Sequence, residues 1–150
     1  YDGVRYGNGR DVFTRETKRR VMTGTYALSA GYYDAYYKKA QQARSVFIKT
    51  YTDVLSRFDA IVSPVMPIAP SRFGQLLNDP IQNMMADIYT GTVNVVGVPS
   101  LALPAGFDDQ NLPVGMQLIG KMFDEQTLLQ LGYAYQQVTD WHIRKPPILT

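Results

Sequence analysis

Three short apolar runs, Asp59–Ser63, Ser100–Pro104 and Val114–Ile119, stand among longer stretches of helical periodicity and bound what this chain can fold into. Each is too short for a helix, lies beside Pro, Gly or Asp, and reads as a strand. Asp59–Ser63, emptying into Pro64, reads as a buried strand. The polar segment Asp108–Pro113 joins the other two as a hairpin. Helices interleaved with short strands imply an α/β layer structure. Three strands make a poor independent sheet, so they are expected to complete one whose remaining strands lie upstream.

Helical patterns fill most of the rest. Thr14 can accept from the backbone N–H of Thr17 and cap a short helix through Lys18–Met22, with Gly24 as its stop. Between Tyr26 and Arg57, Tyr33, Tyr36, Tyr37, Ala40, Ala43, Phe47, Tyr51, Val54 and Leu55 recur at helical spacing. Gly31 is a poor helix-interior residue, so two pieces broken near it are expected. Pro64, Pro67, Pro70 and Pro80 keep residues 64–80 irregular. Two short helices, Ile81–Tyr89 and Thr92–Val96, follow. The last helix, Asp124–Thr139, has an acidic first turn and an apolar stripe of Leu128, Leu131, Tyr135 and Val138 suited to packing on the sheet. Residues 1–10 read as an ordered loop, and the tail after Trp141 as surface-bound or frayed.

Composition excludes several classes. Fifteen Lys and Arg against 13 Asp and Glu give a net charge of only +2, without the basic stripe of a nucleic-acid binder. The absence of Cys removes disulfides, iron–sulfur clusters and Cys-ligated zinc. No apolar run reaches the length of a membrane span, and a cytoplasmic (or equivalent organellar) location is expected. At 150 residues, 45% of them hydrophobic, the chain can bury the core of one domain.

Four features invite chemistry. His142 is the one imidazole, next to Trp141 and without a nucleophile-elbow sequence, so it reads as a surface residue rather than a general base. Gly91 and Gly97 lack the Lys-Ser/Thr of a phosphate loop and read as close backbone packing. Lys18-Arg19-Arg20 is either a solvated helix face or an Arg clamp on a carboxylate. Asp87, set between Met84-Met85-Ala86 and Ile88-Tyr89, would be costly if unpaired. It reads as a helix-end cap or an ion pair, and alternatively as the recognition group for a substrate ammonium.

YDGVRYG (Tyr1–Gly7), KRRVMTGTYALSAGYYDAYYKKAQQAR (Lys18–Arg44), NVVGVPSLALPAG (Asn94–Gly106) and LPVGMQLIGKMFDEQTLL (Leu112–Leu129) resemble the amidase-signature family. GYYDAYYKKAQ points within it to the A subunits of tRNA-dependent amidotransferases. The resemblance implies that residues 1–150 are the C-terminal portion of a single amidase domain with a mixed β-sheet flanked by helices. It implies a Ser-Ser-Lys triad upstream of Tyr1, an acyl-enzyme, and hydrolysis of glutamine to ammonia. The ammonia would serve a B subunit that uses ATP and Mg²⁺ to convert Glu-tRNA(Gln) to Gln-tRNA(Gln), with a C subunit wrapping the pair. tRNA would be met only through the B subunit. No Gly/Ser-rich signature occurs in these 150 residues, so the chain alone is expected to be inactive, without a catalytic residue, cofactor or metal of its own.

The resemblance also assigns substrate-binding roles to Arg20 and Asp87, for the α-carboxylate and α-ammonium of glutamine, with Arg19 as the fallback. Where the family commonly has Pro after the Thr, this chain has Gly91 and Thr92. Two other readings remain at this stage. One is a general amidase acting on small amides, which needs no such Arg/Asp pair. The other is a non-catalytic interaction module built on the tyrosine-rich helix and the proline loop.

Overall fold

The computed structural model describes residues 13–29, 31–71 and 80–145. The expected loop at residues 1–10, the second half of the proline stretch and the end of the tail lie outside these. The chain divides into two compact units, Tyr1–Ser45 and Val46–Thr150.

The first unit contains α1, Arg15–Leu28. Thr14 caps it as expected: its backbone is extended, and its hydroxyl accepts from the Thr17 N–H at 3.2 Å. Gly24, however, does not end the helix. The backbone continues for another turn, with the Thr25 hydroxyl donating to the Val21 carbonyl, and ends where Ser29 turns extended. A single interior glycine costs only about 1 kcal/mol, too little to stop a helix that is otherwise continuous. Replacing Thr14 by Ala is expected to lower local stability by about 1 kcal/mol. Faster hydrogen exchange at the Thr17 amide would report it.

The expected break lies at Gly31, whose φ of +88° is left-handed. A π-helical segment, Tyr33–Lys38, follows and runs into α2, Lys39–Leu55. Tyr26 and Tyr32 approach to 4.3 Å between ring centroids, and Tyr33 stacks on Tyr37 at 4.9 Å. The Tyr32 hydroxyl bond pushes the Tyr26 phenol above its ordinary pKa. Of the apolar positions expected along this stretch, Leu55 is buried, whereas Tyr33, Tyr36, Tyr37 and Phe47 are exposed.

The second unit is an α/β structure around a three-stranded antiparallel sheet of order β1-β3-β2, formed by β1 (Ile61–Pro64), β2 (Ser100–Phe107) and β3 (Pro113–Ile119). All three strands and the hairpin are where the sequence places them. The hairpin turn is held by Asp108, whose carboxylate accepts from the Gln110 and Leu112 N–H groups, while Asn111 takes a φ of +61°. β1 is not the buried strand expected, since Val62 is 64% exposed. It is an outer strand, flanked only by β3 among the described residues.

One face of the sheet receives α5, Glu125–Val138. Leu103, Leu118 and Leu128 form the core there, with Leu101, Met116 and Tyr135 against them. The buried face of α5 is Leu128, Gly132 and Tyr135, so the expected stripe is only half right: Leu131 and Val138 face outward. Gly132 permits the contact, because a Cβ there would lie 2.7 Å from Leu101 Cδ2. A side-chain stripe does not reveal a face whose key position has no side chain. Beyond α5, Trp141 meets Phe107 edge-on and Arg144 lies 4.4 Å over the Trp141 ring, which ties the start of the tail to β2.

Before β2, two helices α3 (Pro80–Ala86) and α4 (Ile88–Val96) meet at Asp87 rather than near Gly91. Gly91 and Gly97 are not close-packing residues: a Cβ on either would meet nothing within 4 Å among the described residues. Gly97 is needed for its φ of +84°, which terminates α4 in the left-handed conformation.

Candidate functional site

Arg20 lies on α1, in the first unit, with a side chain 64% exposed. Its Nε donates to Glu16 Oε1 at 2.8 Å, one helical turn back. Arg19 holds the same carboxylate through two bonds, from Nε at 2.8 Å and Nη2 at 2.7 Å. Two guanidinium groups hold the Glu16 carboxyl down at about 2. Glu16 therefore stays ionised until the solution is strongly acidic, and its pairing with both arginines persists throughout the neutral range. Arg19 and Arg20 thus stand side by side as an exposed, ion-paired patch on α1.

Asp87 lies in the second unit, at the junction of α3 and α4. Its carbonyl accepts from the Gly91 N–H at 2.7 Å and from the Thr90 hydroxyl, closing the first turn of α4. Asp87 stands at the N-cap position of α4, and its carboxylate makes no side-chain hydrogen bond to the backbone of that helix. Asp87 lines an apolar groove of about 410 Å³ with Phe47, Met84, Met85, Ile88 and Thr92, and is the only charged residue along it among the described residues. A carboxylate on such a wall attracts a cation more strongly than one in open water, because surrounding apolar groups screen it less. A primary ammonium on a small organic body fits that chemistry. The two assigned residues belong to different units, and each is placed within its own.

A larger groove of about 630 Å³ runs between Pro64–Pro70 and the β2–β3 hairpin. It is lined mostly by prolines and aliphatic side chains, and the Asp108 carboxylate on its rim is already engaged by the hairpin backbone. Size does not make it the site: it offers no group for acid, base or nucleophilic chemistry. His142 is exposed on a 3₁₀ turn, Trp141–Ile143. Among the described residues no group of three or more His, Asp or Glu is placed to hold a metal ion, and no helix is long and apolar enough to cross a membrane.

One buried polar residue, outside the grooves described above, escaped the sequence reading. Gln117 is buried in the middle of β3 and bridges to Ser63 on β1 and Ser100 on β2. The signal was present, since Gln117 is the one side chain in Val114–Ile119 with a polar group.

The amidase family pattern matches residues 6–129 of this sequence, which is most of its length. The chain belongs to the amidase family. This amidase chain is 48% identical to the A subunit of glutamyl-tRNA(Gln) amidotransferase from Thermodesulfovibrio yellowstonii, over 97% of its own length. It is 46% identical to the corresponding A subunit from Chloroflexus aggregans, over 99% of its length. It spans 33% of each of these curated relatives, about a third. The crystal structure of the glutamyl-tRNA(Gln) amidotransferase A subunit from Thermotoga maritima matches the fold with a TM-score of 0.68 and 37% identity, over 88% of this amidase chain and 29% of that one. The α/β layer expected from the strand and helix pattern is thus the amidase fold.

Proposed function

We propose that this chain is the C-terminal portion of a single amidase domain, that of the glutamine-hydrolysing A subunit of a tRNA-dependent amidotransferase. The observation that carries the reading is identity of 46–48% across nearly the whole chain to proteins named as that subunit. In this reading the complete protein hydrolyses glutamine, and the ammonia converts Glu-tRNA(Gln) to Gln-tRNA(Gln) for translation. A Ser-Ser-Lys triad upstream of Tyr1 breaks the amide bond. The B subunit carries ATP, Mg²⁺ and the tRNA contact, and a C subunit completes a cytoplasmic or organellar assembly. No cofactor or metal is assigned to residues 1–150.

Within this scheme the chain supplies recognition. Arg20 takes the α-carboxylate of glutamine, because a planar guanidinium matches a carboxylate with two parallel bonds. Asp87 takes the α-ammonium. Its position as the one charged group along an apolar groove, among the described residues, supports this role.

The test uses the complete protein. Asp87→Asn removes the charge and preserves the shape, so the glutamine KM is expected to rise by about tenfold or more, the worth of one hydrogen bond to a charged group. Ammonia release measured against glutamine concentration reads this directly. An unchanged KM removes Asp87 from the site.

A further inference from the structure

Gln117 is 2% exposed and is the one buried polar side chain among the described residues. Its amide spans all three strands. Nε2 donates to Ser63 Oγ at 2.9 Å and to the Pro64 carbonyl at 3.4 Å on β1, and Oε1 accepts from Ser100 Oγ at 3.1 Å on β2. The two ends of an amide differ chemically, so the bridge sets direction as well as position. Burial in low dielectric makes each of these bonds costly to break.

Ser100 is also where α4 is fastened to the sheet. It opens β2 three residues after Gly97, the cap of α4. The intervening Pro99 carbonyl accepts from the Gly120 N–H at 3.0 Å, just past the end of β3. Val93 and Val96 of α4 are buried, which ties the helix body to the same unit. At 1.5 Å per residue α4 is about 13 Å long, and Asp87 sits at its far end. A short rigid helix anchored at one end transmits a shift of its anchor to the other.

We infer that Gln117 is a positioning residue for Asp87: through Ser100 and α4 it sets where the ammonium-binding carboxylate stands in its groove. This rests on the reading of Asp87 given above. Gln117 does not touch substrate, so its loss should move recognition of the α-ammonium without touching bond-breaking.

The experiment compares Gln117→Met, Ser100→Ala and Asp87→Asn in the complete protein, with two substrates: glutamine and 4-carbamoylbutanoate, the same amide without the α-ammonium. Gln117→Met is expected to raise the glutamine KM roughly tenfold, since displacements near 1 Å have effects of that order or larger. Ser100→Ala, which removes one bond of the bridge and perturbs the fold least, should give part of that rise. The analogue's KM and both kcat values should stay within about twofold in both variants, because its recognition does not use Asp87. Added to Asp87→Asn, Gln117→Met should raise the glutamine KM no further. Equal rises for both substrates, full additivity with Asp87→Asn, or an unchanged glutamine KM would each overturn the inference. If Gln117→Met does not fold, Ser100→Ala decides by the same substrate comparison. An Asp87→Asn protein that keeps its preference for glutamine over the analogue overturns the Asp87 assignment and this inference with it. A normal loss in Asp87→Asn beside unaffected Gln117 and Ser100 variants overturns the inference alone.

Discussion

Replacing Leu128 by Ala is expected to destabilise the sheet unit by about 2–5 kcal/mol, read as an earlier urea midpoint of the complete protein with an unchanged slope. Leu128 is 2% exposed and closes the core against Leu103 and Leu118. Truncation removes its apolar burial and leaves a cavity between α5 and the sheet, and a helix held at both ends of its buried face collapses poorly into it. Gly120 supplies an internal check. A Cβ at Gly120 would come within 2.9 Å of Leu128 Cγ and 3.1 Å of both its methyl carbons, so Gly120→Ala alone must displace a core side chain. That overpacking should cost about 1–3 kcal/mol. In the double variant the methyl added at residue 120 enters the space vacated at 128. The pair should therefore be more stable than the sum of the single effects. Strict additivity would mean that the two residues are not in contact and would sink this account of the core.

The contrast between Leu128 and its neighbours on α5 shows where legibility stops. Short apolar runs bounded by Pro, Gly or Asp and an Asp-containing turn located the three strands and the hairpin among the described residues, because those signals are local. The Thr14 cap was legible for the same reason. What failed depended on partners. Leu131 and Val138 look identical in periodicity to Leu128, and only the close approach at Gly132 selects the face that packs. β1 reads as buried from its composition, but its burial is set by what flanks it, and it lies at the outside of the sheet. Gly24, Gly91 and Gly97 look alike in the sequence and stand in two different situations: Gly24 and Gly91 are interior helical residues, and Gly97 is a left-handed terminus. The candidate site divides in the same way. Arg20 and Asp87 carry no chemical signal of their own in the sequence, and only the family resemblance, applied one residue at a time, proposes them. Gln117 belongs to no chemical motif, and its bridge exists only once three strands are paired.

The neighbouring arginines allow the sharpest test of the proposed substrate clamp. In the complete protein, Arg20→Lys is expected to raise the glutamine KM on the order of a hundredfold, while Arg19→Lys changes it by less than about threefold. Lysine keeps the charge but has no planar fork, so it gives up the two parallel bonds that a carboxylate makes with a guanidinium, each worth about 1.5–3 kcal/mol when charged. The two residues share Glu16 but not its geometry. Arg19 grips it through Nε and Nη2, and Arg20 through Nε. Arg19 is thus committed to the helix surface in bidentate fashion, and its loss falls mainly on an exposed ion pair, where little stability is at stake. kcat should change little in either variant, since ground-state recognition of the carboxylate is shared by the transition state. If the large effect appears in Arg19→Lys instead, the clamp is shifted by one residue and Arg20 is the structural partner of Glu16. If neither variant moves the KM, the guanidinium pair is only a solvated face of α1 and the α-carboxylate is held elsewhere.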